Sequence, residues 1–256
     1  MKKGYQYQYH FSDKHSSSMY DQDKRTRKAK TMVAVIKDFL RTELSSLSLL
    51  EIGCSTGILD NYLSEHFGKV VGIDIDEEAI AFANNTFKKD NLEFYVDDAM
   101  NLKFVDNLFD VVICAQIYEH MPDAEQLMSE LYRVLKPGGI GYFAAGNRLD
   151  IKEHHYNLPF LSVIPRNLAH LYLRIAGKGK FYYEKHLSYW GLKKLVHQFE
   201  IHDYTKKIIE NTDLFHVYYM LPDGSIKAKT AKFVVNHAYW LCPGYIWLLK
   251  KKPRQD

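Results

Sequence analysis

The loop at residues 53–57 has the composition of a site that binds a nucleotide cofactor. It begins and ends with glycine, and it follows an apolar run that includes Glu51. Because glycine has no Cβ, the backbone N–H groups of such a loop can approach a bound ligand. An acidic residue, Asp74, closes the next apolar run. A carboxylate in that position can accept hydrogen bonds from ribose hydroxyls.

Two further polar clusters also follow apolar runs. Residues 96–99 come after a third predicted strand, and residues 116–120 come after a fourth, at 109–115. The carboxyl ends of parallel strands meet at one edge of an open sheet, so all four clusters would converge on a single crevice. The convergence indicates a binding site more strongly than any one motif does.

Helical and strand-like patterns alternate along the first part of the chain. Apolar residues with helical spacing lie at 32–40, before the first strand, and at 58–66, after the glycine loop. A third helical stripe at 124–135 stops at Pro137, and a fifth strand follows at 140–145. The alternation predicts an α/β fold with a doubly wound sheet.

The pattern changes after the fifth strand. A polar and aromatic stretch leaves the same sheet edge as the cofactor loops, so we predict a helical and aromatic cap over the crevice. Beyond it we expect a helix near Tyr189, a sixth strand at 201–209, an insertion at 213–239 and a last core strand at 245–249. The whole chain is then one domain, 1–256, in four segments: an N-terminal segment with a helix (1–46), a cofactor-binding core (47–146), a cap insertion (147–187) and a C-terminal part with a second insertion (188–256).

These motifs resemble those of the class I S-adenosylmethionine-dependent methyltransferases, in particular the small-molecule branch that includes quinone-biosynthesis enzymes. The resemblance covers residues 47–147. The family's acidic-x-Gly-x-Gly-x-Gly loop corresponds to residues 51–57, and its Arg-Val-Leu-Lys-Pro-Gly-Gly segment stands at residues 133–139. The resemblance implies a Rossmann-like methyltransferase fold with a mostly parallel seven-stranded sheet, and S-adenosylmethionine as the cofactor.

The resemblance also implies which residues contact that cofactor. Glu51 and the loop backbone would hold the methionine part, and Asp74 would hold the ribose. Taken singly, each acidic residue could instead cap a strand, a helix or a turn. In this order and spacing they favour cofactor contacts. Asp98 and Ala99 would contact the adenine, and Gln116 and Ile117 would line the sulfonium. The full implied set is Glu51, Gly53, Cys54, Ser55, Gly57, Asp74, Ile75, Asp98, Ala99, Gln116 and Ile117.

Two positions depart from the family's pattern. Ser55 stands where the middle glycine would be, which restricts the loop to conformations that a residue with a Cβ accepts. Gln116 stands at the first acid of a pattern of two acids and a histidine that is associated with a divalent metal in quinone O-methyltransferases. The sequence also lacks the histidine and cysteine spacings typical of zinc sites. We therefore predict no metal.

Four residues are candidates for handling the acceptor. His120 could be the general base, because imidazole titrates near neutrality and this position borders the transfer site in relatives; it could equally be a structural histidine that steadies the loop. In the predicted cap, His154, His155 and Tyr156 could orient or deprotonate an acceptor hydroxyl, although paired histidines on a loop are commonly just solvated. A sulfonium donor needs few catalytic groups, since its methyl group is already activated.

Composition narrows the function classes. The 256 residues carry a formal net charge of +3 with dispersed Lys and Arg, which argues against nucleic acid as a partner. The three cysteines are far apart, so we expect them to be reduced, in the cytoplasm. The polar start of the chain predicts neither a signal peptide nor a spanning helix. The lysines at 250–252 suggest a solvated tail after a core strand, which we favour, or a membrane-surface contact. No pattern indicates an oligomeric state.

Together these features predict a methyltransferase that acts on a small or lipid-like acceptor, most plausibly at oxygen. One alternative is an NAD(P)-dependent reductase, because Tyr189 and Lys193 have the Tyr-x-x-x-Lys spacing of short-chain dehydrogenases. Ile58, however, stands where the last glycine of their Gly-x-Gly-x-x-Gly loop should be. The other alternative is a methyltransferase-like protein that has lost catalysis and binds a partner, which would be consistent with Ser55 and Gln116.

Overall fold

A computed structural model describes residues 10–252 of the chain. Residues 1–9 of the predicted N-terminal segment and residues 253–256 of the predicted C-terminal part lie outside the described residues. Residues 10–252 form nine strands, and within this range the two shortest strands pair only with each other. In chain order the strands are β1 (Ser48–Ile52), β2 (Lys69–Asp74), β3 (Leu92–Val96), β4 (Phe109–Ala115), β5 (Leu135–Gly146), β6 (Lys152–Glu153), β7 (Leu158–Pro159), β8 (Phe199–Asp203) and β9 (Gly244–Lys251).

Seven of these strands form one sheet in the order β3-β2-β1-β4-β5-β9-β8. The first five strands pair in parallel, whereas β9 runs antiparallel to both of its neighbours. The direction in which successive strands are added to the sheet reverses between β1 and β4. These two strands are neighbours, and Leu49 of β1 pairs with Val111 of β4. The predicted doubly wound, mostly parallel seven-stranded sheet is therefore confirmed, and its switch point lies at the carboxyl ends of β1 and β4.

Helices cover both faces of the sheet. Successive residues of a strand point to opposite faces, so Val111 packs in one core and Val112 in the other. Because both faces are covered, the central strands are apolar almost throughout, as in parallel sheets generally. The helices are α1 (Phe11–Lys14), α2 (Ser16–Met19), α3 (Gln22–Leu40), α4 (Ile58–Leu63), α5 (Glu77–Thr86), α6 (Ala124–Val134), α7 (Arg166–Ile175), α8 (Tyr189–Leu195), α9 (Thr205–Glu210) and α10 (Ile226–His237), with 3-10 turns at Leu44–Ser46, Tyr118–His120 and Tyr239–Leu241.

The predicted sixth strand, 201–209, is wrong in its second half. The strand ends at Asp203, and α9 begins two residues later. The carboxylate of Asp203 accepts a hydrogen bond of 2.8 Å from the backbone N–H of Thr205, a turn that competes with strand pairing. Ile208 is buried as a helical residue. A short apolar run fits both the strand period and the helix period, which is why the predicted strand included the residues that form α9.

The segment after β5 folds as a cap with a small core of its own. It contains the β6–β7 ribbon and α7, packed around Leu161, Ala169, Leu173 and Tyr182. Its two ends lie side by side, because Asn147 pairs in parallel with Leu187. The backbone N–H of Arg148 also donates to the carbonyl of Leu187 at 2.9 Å. The cap thus leaves and rejoins the sheet at nearly one point.

The C-terminal aromatic run is a core strand, as we favoured. In β9 the side chains of Tyr245 and Trp247 are each only 1% exposed. These rings are therefore not available to a membrane surface. Within residues 10–252, no helix has the length and the apolar character needed to cross a membrane.

Candidate functional site

The glycine loop has the backbone conformation that the sequence pattern requires. Gly53 and Gly57 have φ angles of 79° and 71°, in the left-handed region that favours glycine. A Cβ at Gly53 would lie 2.1 Å from Cδ1 of Ile117, so the loops after β1 and β4 touch there. Ser55 also has a positive φ, 53°, where the family's middle glycine would be. The serine therefore accepts a strained conformation of order 1 kcal/mol rather than changing the loop.

Asp74 ties the end of β2 to the glycine loop. Its carboxylate accepts hydrogen bonds from the backbone N–H of Ser55 at 2.8 Å and of Asp76 at 3.0 Å. Burial raises the pKa of Asp74, while these N–H donors act to lower it. The predicted ribose contact thus lies directly against the predicted cofactor loop. Asp76 begins α5 by accepting a hydrogen bond from the N–H of Ala79 at 3.3 Å.

The third predicted contact region follows β3. The backbone N–H of Asp97 donates to the carbonyl of Asp74 at 3.1 Å, which places the two strand ends next to each other. Asp98 accepts from the N–H of Met100 at 2.9 Å, so it stabilises a turn, and Ala99 is buried. The structure therefore brings the loops after β1, β2 and β3 to one edge of the sheet.

Arg25 on α3 supplies a cation that the sequence analysis missed. It is 6% exposed, and its guanidinium donates to the carbonyl of Cys54 at 3.2 Å. Glu51 is 2% exposed and Asp60 is fully buried. Burial raises the pKa of Glu51 to about 7, although the positive charge of Arg25 acts to lower it. The pKa of Asp60 is raised by burial and by the negative charge of Glu51. The two carboxyl groups therefore ionise only at the expense of each other. The Cys54 side chain is wholly buried, so this residue can reach a ligand only with its backbone.

The N-terminal helices α1 and α2 lie over the glycine loop. The backbone N–H of Ser12 donates to Asp76 at 3.1 Å, and its hydroxyl lies 2.7 Å from that of Ser55. The hydroxyl of Thr56 donates to the carbonyl of Met19 at 2.8 Å. These contacts hold the start of the described chain against the predicted cofactor site.

The loop after β4 is fixed by a buried tyrosine. Gln116 has a φ of 60° and its backbone N–H donates to the carbonyl of Ala144 at 2.8 Å. The hydroxyl of Tyr118 donates to the carbonyl of Gly146 at 2.7 Å and accepts from the N–H of Leu187 at 3.0 Å. Tyr118 thereby joins the turn that carries Glu119 and His120 to both ends of the cap.

A cluster of four imidazoles lies where the cap meets this turn. We call His15, His120, His155 and His186 the histidine cluster. The ring of His155 lies 4.9 Å from that of His120, 5.9 Å from that of His186 and 6.4 Å from that of His15, measured between centroids. The ring of Phe11 lies 5.1 Å from that of His120. Since Ser12, the next residue, contacts Ser55, the cluster adjoins the glycine loop.

Glu153 fixes the protonation of the cluster. Its Oε1 lies 2.6 Å from Nδ1 of His155 and 3.4 Å from Nε2 of His186. Burial lowers the pKa of His155, but the hydrogen bond and charge of Glu153 outweigh it and leave that pKa raised. Burial would raise the pKa of Glu153, yet its two histidine partners hold it well below the usual range.

His120 has the opposite environment. Burial and the nearby imidazoles of His155, His186 and His15 lower the pKa of His120 to about 3. Its Nδ1 is buried and has no hydrogen-bond partner among the described residues. At neutral pH this imidazole is therefore uncharged, with a nitrogen free to accept a hydrogen bond.

Two further cap candidates, Tyr156 and His154, differ in their surroundings. The backbone N–H of Tyr156 donates to Oε2 of Glu153 at 2.8 Å, and burial raises the pKa of the Tyr156 hydroxyl. The side chain of His154 is 76% exposed and pairs with Asp150 at 2.9 Å. His154 is thus a solvated residue, whereas Tyr156 lies beside the cluster. Sequence reasoning had no signal for Glu153, His186 or His15, because no local motif connects them.

A comparison with protein-family models identifies residues 50–143 as a match to the family described as "Methyltransferase domain". The match begins in β1 and ends in β5, so it contains the glycine loop, Asp74 and the turn with His120. It leaves out the N-terminal helices and the cap. The resemblance inferred from the sequence motifs is therefore confirmed.

Two curated relatives carry names from quinone biosynthesis. The chain is 35% identical over 131 residues to the demethylmenaquinone methyltransferase of Lactococcus lactis, covering 48% of this chain and 52% of that protein. It is 29% identical over 117 residues to the ubiquinone biosynthesis O-methyltransferase of Coxiella burnetii, covering 45% of this chain and 50% of that protein. The chain thus spans about half the length of these relatives.

A solved structure extends the likeness of fold to nearly the whole chain. It is a chain from the complex of the Haloferax volcanii Trm112 methyltransferase activator with a methyltransferase, with a TM-score of 0.60 and 15% sequence identity. The superposition covers 98% of this chain and 100% of that chain. At such low identity the likeness concerns the fold alone.

Proposed function

We propose that the chain, whose residues 50–143 match the family described as "Methyltransferase domain", transfers a methyl group from S-adenosylmethionine to a hydroxyl of a small or lipid-like acceptor. One observation carries the proposal: a partly buried histidine cluster adjoins the glycine loop through Phe11 and Ser12. The donor site and a set of groups able to take a proton therefore meet at one sheet edge.

The cofactor would lie across the carboxyl ends of β1, β2, β3 and β4. The loop backbone from Gly53 to Gly57 and Glu51 serve the methionine part, and Asp74 with Ile75 serves the ribose. Asp98 and Ala99 serve the adenine, and Gln116 and Ile117 line the sulfonium. The contacts of Asp74 with Ser55 and of Ile117 with Gly53 support this assignment, because they bring the named groups within one another's reach.

The acceptor is proposed to be a small aromatic hydroxyl compound. The names of the two quinone-biosynthesis relatives support the substrate class, and one of those names specifies an O-methyltransferase. The histidine cluster supports oxygen as the methylated atom. A hydroxyl loses its proton on methylation, and the cluster offers an uncharged imidazole nitrogen at His120.

His120 is proposed to take that proton. The acceptor oxygen gains positive charge as the new C–O bond forms, so its O–H becomes strongly acidic during the transfer. A weakly basic imidazole can then accept the proton, provided that it is uncharged and within hydrogen-bond reach. The carboxylate of Glu153, which lies 2.6 Å from Nδ1 of His155, stabilises positive charge on that imidazole. Tyr156 orients Glu153 through its backbone N–H.

The three buried free thiols favour a reducing compartment. Cys54, Cys114 and Cys242 are all buried and unpaired. We therefore place the protein in the cytoplasm, which keeps thiols reduced.

The first test is isothermal titration of the protein with S-adenosylhomocysteine, with NADH and NADPH as controls. We expect saturable binding of S-adenosylhomocysteine and none of the nicotinamide nucleotides. Failure of S-adenosylhomocysteine to bind a folded sample would overturn the proposed cofactor, and binding of NADH instead would favour the reductase alternative.

The second test concerns the proton acceptor. With a panel of catechols and hydroquinones as acceptors, His120→Gln is expected to lower turnover about 100-fold or more while cofactor affinity stays unchanged, as loss of a general base typically does. His154→Gln, at the exposed neighbour of the cluster, is the matched control. Equal turnover in the two variants would show that His120 is structural.

A further inference from the structure

Three cap side chains form a group with metal-binding chemistry. Glu153 is the last residue of β6, and His155 follows two residues later. His186 lies at the other end of the cap. One ligand atom from each of the three lies within 4.8 Å of the other two. Their side chains are 1%, 16% and 8% exposed, respectively, so the group is enclosed by protein.

We propose that Glu153, His155 and His186 bind a divalent transition-metal ion such as Zn²⁺. Two imidazole nitrogens and one carboxylate oxygen form a ligand set that Zn²⁺ takes in sites with an open fourth position. Fe²⁺ also accepts this set, whereas Mg²⁺ and Ca²⁺ prefer oxygen ligands alone. The sequence-based prediction of no metal considered the loop after β4 and the histidine and cysteine spacings along the chain. The proposed ligands come from the two ends of the cap and form no local motif.

The spacing suits an ion with short bonds. Zn–N and Zn–O bonds of about 2.0–2.2 Å place neighbouring ligands of a tetrahedron about 3.3–3.6 Å apart. The separation between Oε1 of Glu153 and Nε2 of His186, 3.4 Å, already lies in that range. The separation between Oε1 of Glu153 and Nδ1 of His155, 2.6 Å, needs a small side-chain rotation to widen.

A second observation, at Glu119, favours a cation at this place. Glu119 is fully buried, and neither of its carboxylate oxygens has a hydrogen-bond partner among the described residues. A ligand atom of Glu119 lies within 4.8 Å of ligand atoms of His120 and His155. A buried carboxylate without a partner is costly, and a nearby cation relieves that cost. An ion at the triad would do so, with Glu119 as a neighbouring charge or a fourth ligand.

The carboxylate of Glu153 is already oriented for this role. Its Oε2 accepts a hydrogen bond of 2.8 Å from the backbone N–H of Tyr156, which leaves Oε1 directed at the two histidines. Partners of this kind fix a ligand before the ion arrives. The ligands therefore need little reorganisation to bind.

The ion would also affect the acceptor, a consequence that rests on the proposed function. An ion held by His155 lies close to His120, because the two rings are 4.9 Å apart. A divalent cation lowers the pKa of a hydroxyl that it coordinates, so it would prepare the acceptor oxygen for transfer. Binding of the ion by itself does not require the methyl-transfer activity.

One other group tests the specificity of the proposal. Ligand atoms of His10, Asp13 and Glu78 also lie within 4.8 Å of one another, but these side chains are exposed. Exposed groups of this kind commonly hold no ion. Glu78→Gln is therefore a control for adventitious binding, and His154→Gln is a control for loss of a histidine next to His155.

The experiment is a titration of the chelator-treated 256-residue chain with Co²⁺, followed by visible absorption, with Zn²⁺ as competitor. We expect saturable binding with the absorption of a low-coordinate site. His186→Gln and Glu153→Gln should each weaken Co²⁺ binding more than about 100-fold, beyond the usual effect of losing a hydrogen-bond partner of a ligand. His154→Gln and Glu78→Gln should leave the affinity unchanged.

Thermal unfolding of each variant checks that it folds. If His186→Gln does not fold, Glu153→Gln and His155→Gln carry the test. Absence of saturable Co²⁺ binding in the wild type would overturn the proposal, as would binding that is lost in Glu78→Gln and kept in the triad variants. S-adenosylhomocysteine titration of the same sample separates this failure from failure of the proposed function.

Discussion

The cofactor half of the site and the histidine cluster are built in different ways. The cofactor half uses the loops that follow β1, β2, β3 and β4, and its groups also hold the sheet edge together, as Asp74 does with Ser55. The histidine cluster draws its members from the junction between α1 and α2, the turn after β4 and both ends of the cap. Substitutions in the first region should therefore affect folding and binding together, and those in the second should affect chemistry more than folding.

The strongest test of this contrast is Arg25→Ala at pH 8. At that pH Glu51 is ionised, and removing its buried cation should destabilise the protein by about 3–5 kcal/mol. Chemical denaturation measures the free energy of unfolding. Arg27→Ala, an exposed position on the same helix, is the control. If the two variants were equally stable, Arg25 would have no structural role at the loop.

A pH series on Glu51→Gln gives the next largest effect. The pKa of Glu51 in the folded protein, about 7, lies above its ordinary value of 4.5. The folded state then holds this proton more tightly than the unfolded state, so the stability that it contributes is complete below pH 4.5 and is lost as the pH rises through 7. Between pH 5 and pH 8, the free energy of unfolding of Glu51→Gln should rise by up to about 3 kcal/mol relative to that of the wild type. Parallel stability curves would contradict the raised pKa.

Asp74→Ala should reduce both cofactor affinity and loop order. We expect affinity for S-adenosylhomocysteine to fall at least about tenfold, because a charged partner of ribose hydroxyls is removed. Asp74→Asn, which keeps one acceptor oxygen, should lose less. Calorimetric titration decides the matter, and unchanged affinity in Asp74→Ala would refute the ribose assignment.

The smallest effect concerns Ser55. Ser55→Ala keeps the strained φ of 53° but loses the hydroxyl contact with Ser12, so it should be less stable by about 1 kcal/mol. Ser55→Gly also loses the contact but relieves the strain, so it should be close to neutral. The difference between the melting temperatures of Ser55→Ala and Ser55→Gly measures the cost of the strained backbone conformation at this position. A glycine variant no more stable than the alanine variant would show that the loop is unstrained.

The same contrast explains what could be predicted from the sequence. The glycine loop and Asp74 were predictable because each motif is contiguous and follows an apolar strand, so its position on the sheet edge is set by chain order. Arg25 was not, because a charge on an amphipathic helix looks solvated until the facing loop is known. Glu153 and His186 were not, because α7 separates them in the chain and only the cap's fold brings them together.

The strand predictions failed where local patterns are ambiguous. β1 and β4 are long apolar runs with a single interpretation, whereas residues 201–209 fit a strand or a strand followed by a helix. The hydrogen bond from Thr205 to Asp203 decides between these, and it depends on a turn that hydrophobic periodicity does not register.

The adjacent ends of the cap, where Asn147 pairs with Leu187, have a consequence for how such proteins diversify. A segment whose two ends meet can be exchanged for another of different length without moving the flanking strands. Replacing residues 148–186 as a cassette should therefore alter acceptor choice while the donor half keeps its affinity. In this chain, evolution of substrate range can proceed by swapping one insertion.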